Sequence, residues 1–216
     1  MRLRRSIALS VAAGAAILMA APSAASAAPA APTGTRSLAA VLTANGNDQF
    51  DGNPFDYDIV TQAVLAVVAA KLASPVVLLA NGDVALTAFL PSDVAFRDLV
   101  RQLTGKSYGS EKQVFDALVA AAGVDTIEAV LLYHVVPGAT IASSDAVNAD
   151  GAALTTAQGG TITVDVLVSW LGVVRLIDQD PTDANPYLNP FALNINKGNK
   201  KIAHGITAVL RPIDLP

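Results

Sequence analysis

The stretch Thr87-Ala88-Phe89-Leu90-Pro91-Ser92-Asp93-Val94-Ala95-Phe96 decides the fold. The apolar run Val84 to Leu90 follows the turn pair Asn81-Gly82 and reads as a buried strand. Pro91 ends it, since proline has no N–H to give to a sheet ladder. Ser92 is an N-cap residue type and Asp93 puts an acid in the first helical turn. Val94, Phe96, Leu99, Val100 and Leu103 follow at helical spacing, and Gly105 closes the helix. Phe89 and Phe96 are expected to pack where strand and helix meet.

On the N-terminal side, Ser37 caps a short helix, Leu38 to Ala44, stopped by Asn45-Gly46. A polar acidic loop runs to Asp56, and Ile59, Ala63, Val67, Ala70 and Leu72 mark a long helix that ends before Pro75. On the other side, Ser110 and Gln113 have capping-box spacing and open a helix from Glu111 to Ala122. Asp125 opens another through Ile127, Val130 and Leu131. Beyond Val135 the chain turns to β-prone pieces: Ala153 to Thr156, Thr161 to Ser169, Val173 to Ile177, Phe191 to Ile195 and Ile206 to Leu210. Between them Asp178 to Asn189 reads as a solvated insertion carrying Asp178, Asp180 and Asp183. Helices first and strands after, without regular alternation, predict an α+β fold.

The N-terminus carries an export pattern. Arg2, Arg4 and Arg5 precede the uncharged run Ile7 to Ala21, Pro22 breaks it, and Ala25-Ser26-Ala27 offers a small-x-small cleavage site. The expected organisation is a signal peptide over 1–27, a disordered leader over 28–36 and one domain over 37–216. Cleavage changes the net charge from -4 to -7 by removing three arginines and no acid, which argues against a nucleic-acid partner. The chain has no cysteine, so disulfides, thiolate metal sites and lipid-modified cysteine anchors are excluded. Hydrophobic residues make up 52%, yet the most apolar stretch, Ile59 to Ala80, is broken by Gln62, Lys71 and Pro75 and cannot span a bilayer. The expectation is a secreted, extracellular product with no stable membrane anchor after cleavage, able to associate with the cell envelope.

Several patterns imitate chemistry. Gly105-Lys106-Ser107-Tyr108-Gly109 matches a nucleophile elbow, but a helix rather than a strand enters it, and only His134 and His204 could serve Ser107. Its Gly-Lys-Ser triplet lacks the first glycine of a phosphate loop, which would fall at Val100. Asn47, Gln49, Asp51, Gly52 and Asp58 sit at calcium-loop spacing without its leading Asp or closing Glu, and read as an acidic solvated loop, with adventitious weak calcium binding as the alternative. The cluster near Asp178 reads the same way. No catalytic residue, metal ligand set or cofactor fingerprint is expected. Trp170 beside Leu171 suits core and binding surface equally.

Three blocks together resemble the fasciclin (FAS1) domain family. Thr87 to Phe96 is similar to the family's Thr-x-Phe-Ala-Pro-Thr-Asn-x-Ala-Phe. Leu131-Leu132-Tyr133-His134-Val135-Val136-Pro137-Gly138 is close to its Leu-Leu-Tyr-His-Val-Val-Pro-Gly. Gly205-Ile206-Thr207-Ala208-Val209-Leu210, with Leu215-Pro216, is similar to its Asn-Gly-Val-Ile-His-Val-Ile-Asp and Leu-Leu-Pro, with His204, Ala208 and Arg211 in place of Asn, His and Asp. The resemblance implies a secreted bacterial member with a wedge-shaped β-sandwich and helices packed along one side. It implies a non-enzymatic binding or adhesion module for an extracellular protein or polysaccharide in cell surface, cell wall or matrix. It gives structural roles to Thr87, Phe89, Pro91, Ser92, Asp93, Phe96, Pro137, Gly138 and Gly205, and a binding role to Tyr133 and His134. Core packing and a buried hydrogen bond are the competing role for that pair. An exported carrier of a small apolar ligand, held between sheet and helices, and a secreted serine hydrolase are the alternative functions.

Overall fold

The protein is described by a computed structural model covering residues 32–44, 46 and 49–214. The expected signal peptide, the first part of the leader, Asn47 and Leu215-Pro216 lie outside the described residues. Among the described residues five helices and six strands follow in order: α1 (Leu38–Ala44), α2 (Asp58–Ala70), β1 (Leu86–Pro91), α3 (Asp93–Thr104), α4 (Glu111–Tyr133), β2 (Val135–Pro137), α5 (Ser143–Ala146), β3 (Ala153–Thr155), β4 (Thr161–Val168), β5 (Val173–Ile177) and β6 (Lys201–Ile206). Short 3₁₀ turns at Pro75–Leu79 and Ser169–Leu171 complete the set. This is the α+β arrangement the element order predicts.

The strands form two three-stranded sheets. In one, β1 is central, antiparallel to β2 and parallel to β6, with Leu86 opposite Lys201 and Pro91 opposite Ile206. In the other, β4 lies between β3 and β5 with both pairings antiparallel. Side chains alternate across β1, so its two faces serve different cores. Leu86, Ala88 and Leu90 join the helical core with Ile59, Phe96, Leu99, Leu118 and Leu131. Phe89 turns the other way, into the core shared with Ile162, Val164, Val174 and Leu176 of the second sheet. Phe89 and Phe96 are therefore separated by the sheet rather than packed together, a consequence of the two-residue period.

Local signals explain most boundaries. The Ser37 hydroxyl accepts the Ala40 N–H at 3.1 Å, and the Ser110 hydroxyl accepts the Gln113 N–H at 3.3 Å. The return arm of the second box reaches one residue further back, with Gln113 Oε1 accepting from the Gly109 N–H. Ser92 sits at the α3 N-cap position with extended backbone, but its side chain makes no capping bond. At Gly123 φ is 72° and ψ 163°, a conformation open to glycine, and it divides α4 into the two helical runs that the sequence separates.

Two strand expectations shift. Phe191 to Ile195 contributes only a bridge from Ile195 to Ala203, and the last strand is Lys201–Ile206 rather than Ile206 to Leu210. Lys201, His204 and Gly205 are poor strand formers, but parallel pairing along the whole of β1 imposes the conformation. Among the described residues no helix is long and apolar enough to cross a membrane.

Candidate functional site

Tyr133 and His134 end α4 and are buried, at 0% and 5% exposure. Tyr133 Oη donates to the Thr161 carbonyl at 2.7 Å, tying the helix end to the first residue of β4. Burial and the nearby Asp178 charge push its phenol up to about 12. His134 Nδ1 donates to the Val130 carbonyl at 2.7 Å, which leaves Nε2 as the acceptor for the Leu210 N–H at 2.9 Å. Its own carbonyl accepts the Phe89 N–H at 2.9 Å. One residue thus joins all three blocks that the sequence singled out. Burial lowers its imidazole to about 4, so the ring is neutral.

Thr87, Gly138, Gly205 and Asp93 also make contacts within the fold. Thr87 Oγ1 donates to the Ala139 carbonyl and accepts the Ile141 N–H, holding the chain that leaves Pro137-Gly138. The Gly138 N–H donates to the Ala85 carbonyl. A Cβ on Gly205 would lie 2.5 Å from Tyr57 Oη and 2.7 Å from Ala192 Cβ, so glycine alone fits there. Asp93 Oδ1 accepts the Ile59 N–H at 2.9 Å, so this acid caps α2 from outside that helix.

Asp93 stands in an acidic cluster. Asp58, Asp93 and Glu111 are all buried, and one oxygen from each lies within 4.8 Å of the others. Asp51, Asp56 and Asp58 make a second such group. Arg97 Nη2 reaches Glu111 Oε1 at 3.2 Å. Burial first, then the proton-sharing contact with Asp56 and the nearby charges of Asp56 and Glu111, push Asp93 up to about 8. Burial with the Asp56, Asp51 and Glu111 charges pushes Asp58 to about 6. The loop read as solvated therefore turns inward at Asp58, because the start of α2 packs into the core.

The second acidic segment is also less solvated than its composition suggests. Arg211 is 5% exposed and Asp180 1%. Arg211 Nη1 lies 3.1 Å from Asp180 Oδ2 and Nη2 lies 2.7 Å from Asp183 Oδ2, while Gln102 Oε1 accepts from Nη2. Asp178 Oδ2 accepts the Arg211 N–H at 2.8 Å. The aspartates receive an arginine at a position where the resembling sequences carry an aspartate. Composition marked the loop, and only the fold shows its partner.

Two surface features stand apart. The turn between β4 and β5 presents Trp170 at 82% exposure and Leu171 at 58%. A register irregularity between Val166 and Val168 turns Leu167 to solvent as well. At the foot of this tip Gly172, Val174, Leu188, Leu193, Val147 and Ser143 line a shallow groove of about 210 Å³. Separately, an apolar cavity of about 260 Å³ lies among α2, α3 and α4, with Phe96, Leu118, Ala122, Ile127 and Val130 in its wall and half-exposed Ile213 beside them. Between sheet and helices, where the carrier alternative puts its ligand, the pocket lined by Leu38, Val60, Ala88 and Leu131 holds only about 20 Å³.

Ser107 lies exposed in the loop after α3. Every ring nitrogen of the two histidines is engaged by backbone, since His204 accepts the Asn194 N–H through Nδ1 and bonds the Ile141 carbonyl through Nε2. No imidazole is left to activate the serine.

Comparison with known proteins places these features. The family model described as the Fasciclin domain matches residues 59–211. A solved structure of a FAS1 domain pair from the insect cell adhesion molecule Fasciclin I is similar in fold, with a TM-score of 0.53 at 15% identity. The similarity covers 82% of this chain and 51% of that one, so the chain spans about half its length. No curated protein matches the chain.

Proposed function

The chain belongs to the fasciclin domain family, and on that premise we propose that it is an exported, non-enzymatic adhesion module. Its partner is an extracellular protein or polysaccharide of a cell surface, cell wall or matrix. The observation that carries this reading is the apolar tip formed by Leu167, Trp170 and Leu171 beside a shallow groove. An exposed tryptophan with two leucines costs solubility when left in water and supplies contact area when covered. Tyr133 and His134 serve the same function from inside, by holding the sheets that carry the tip. The similar solved structure comes from a cell adhesion molecule, which supports the same class of function.

The test is retention of purified protein on the producer's cell envelope, on matrix proteins and on cell-wall polymer. Trp170→Ala is expected to weaken retention roughly tenfold or more while leaving the melting temperature unchanged. Equal retention of both proteins on every surface overturns the tip as the contact. N-terminal sequencing of protein from the culture medium tests export, with Ala28 expected as the first residue.

The apolar cavity favours a second reading, a carrier of a small apolar ligand. Its volume suits a compact molecule rather than a long lipid chain. Mass spectrometry of solvent extracts should then show a bound compound that an Ala122→Phe variant lacks.

A further inference from the structure

We propose that the acidic cluster at the start of α2 is a calcium site, built from Asp58, Asp93 and Glu111 with Asp51 and Asp56 at its mouth. The cluster alone would not suffice, since acids gather on many surfaces. The oxygens are what point to a ligand. Each buried acid has one oxygen turned by a backbone N–H: Asp58 Oδ2 by Asp51, Asp93 Oδ1 by Ile59, and Glu111 Oε2 by Gly52, at 3.1, 2.9 and 2.9 Å. Among the described residues no N–H group donates to the remaining oxygens: Asp58 Oδ1 is buried without a partner, and Asp93 Oδ2 and Asp56 Oδ1 are left with at most the proton that these two acids share. A buried carboxylate oxygen without a donor is costly, and three such oxygens served by at most one shared proton call for a positive charge. Arg97 offsets Glu111 alone: Nη2 reaches Glu111 Oε1 and Nη1 the Tyr108 carbonyl, and neither reaches the three oxygens named.

The donor chemistry selects the ion. All the ligands are hard carboxylate oxygens, without nitrogen or sulfur, which suits calcium or magnesium rather than zinc. Several carboxylates on a loop and three helix starts suit calcium's large, adaptable shell better than magnesium's strict octahedron. The backbone N–H groups act as the outer layer that aims the ligands. Exposure falls from Asp51 through Asp56 to Asp58, which gives the ion a way in. The competing occupant is a proton shared between Asp56 and Asp93. The inference does not depend on the adhesion reading.

Isothermal titration calorimetry of the purified, chelator-treated chain near neutral pH decides between them. Calcium is expected to bind at one saturable site and to raise the melting temperature. Asp58→Asn should weaken binding roughly tenfold or more. Asp51→Asn, at the exposed mouth, should weaken it as well and keeps the test available if the buried variant does not fold. Asp116→Asn, an exposed acid on α4, should bind as the parent does. Absence of both heat and thermal shift up to about 10 mM calcium overturns the site and leaves the shared proton. Binding that survives unchanged in Asp51→Asn and Asp58→Asn overturns it too, as adventitious binding elsewhere.

Discussion

His134 Nε2 accepts the Leu210 N–H at 2.9 Å, so the end of α4 is stitched to the chain beyond β6 through one imidazole ring. The same ring gives its Nδ1 proton to Val130, and its backbone carbonyl takes the N–H of Phe89 in β1. Removing the ring leaves a buried Leu210 N–H without an acceptor and a hole between sheet and helix. His134→Ala should therefore destabilise the fold by about 3–5 kcal/mol, most of it from the orphaned donor and the cavity. Urea unfolding followed by circular dichroism measures this. A cost below about 1 kcal/mol would show that the ring is not the tie described.

The same residue sets an acid limit. Its folded pKa, about 4, lies below the 6.5 of an ordinary histidine. Between those values the unfolded chain binds a proton that the folded chain refuses, so stability falls as pH drops through that window and levels off below it. The depression corresponds to about 3 kcal/mol by pH 4. Urea midpoints taken between pH 7 and 4 should decline, and His134→Gln should flatten that part of the curve. A His134→Gln curve parallel to the parent's would assign the acid loss to other groups.

The parts of this molecule that were legible in sequence are those whose causes are local. Pro91, Asp93 and Gly105 mark the end of β1 and the two ends of α3 within a few residues of where they occur. β6 was misplaced because its conformation comes from β1, far back in the chain, and not from Lys201, His204 or Gly205 themselves. The faces of β1 were confused for a related reason, since residue type does not reveal which of two cores a side chain joins. Calcium-loop spacing links Asp51 and Asp58, but no spacing rule connects them to Asp93 on α3 and Glu111 on α4. Trp170 was ambiguous because the irregularity that turns this hairpin tip outward arises from the pairing of two strands.

Arg211 offers a sharper test of paired burial. Its guanidinium meets Asp180 and Asp183, and its N–H meets Asp178. Arg211→Ala leaves a buried Asp180 without its cation and should cost about 3–5 kcal/mol. Arg211→Asp, the residue type that the resembling sequences carry there, should cost more in this chain, because it sets a fourth acid among three. Thermal unfolding ranks the variants. If Arg211→Asp were as stable as the parent, the aspartates would have to be solvated after all.

Lys201 presents the opposite case, a buried cation with no acid paired to it among the described residues. It is 0% exposed, Nζ has no hydrogen-bond partner among the described residues, and burial lowers its pKa from 10.5 to about 8. At neutral pH the folded chain must still protonate this amine in an apolar place, so the side chain works against folding there. The sign of the linkage follows. Between about 8 and 10.5 the unfolded state holds the proton that the folded state has released, and stability rises with pH across that window. Lys201→Met keeps the length of the side chain, removes the charge and should stabilise the fold by roughly 1–3 kcal/mol at pH 7. The gain should shrink as the pH approaches 10.5, where the parent lysine is neutral in both states. Melting temperatures of parent and variant, measured across this range, check both statements together. A variant less stable than the parent at neutral pH would mean that the ammonium has a partner which the fold requires.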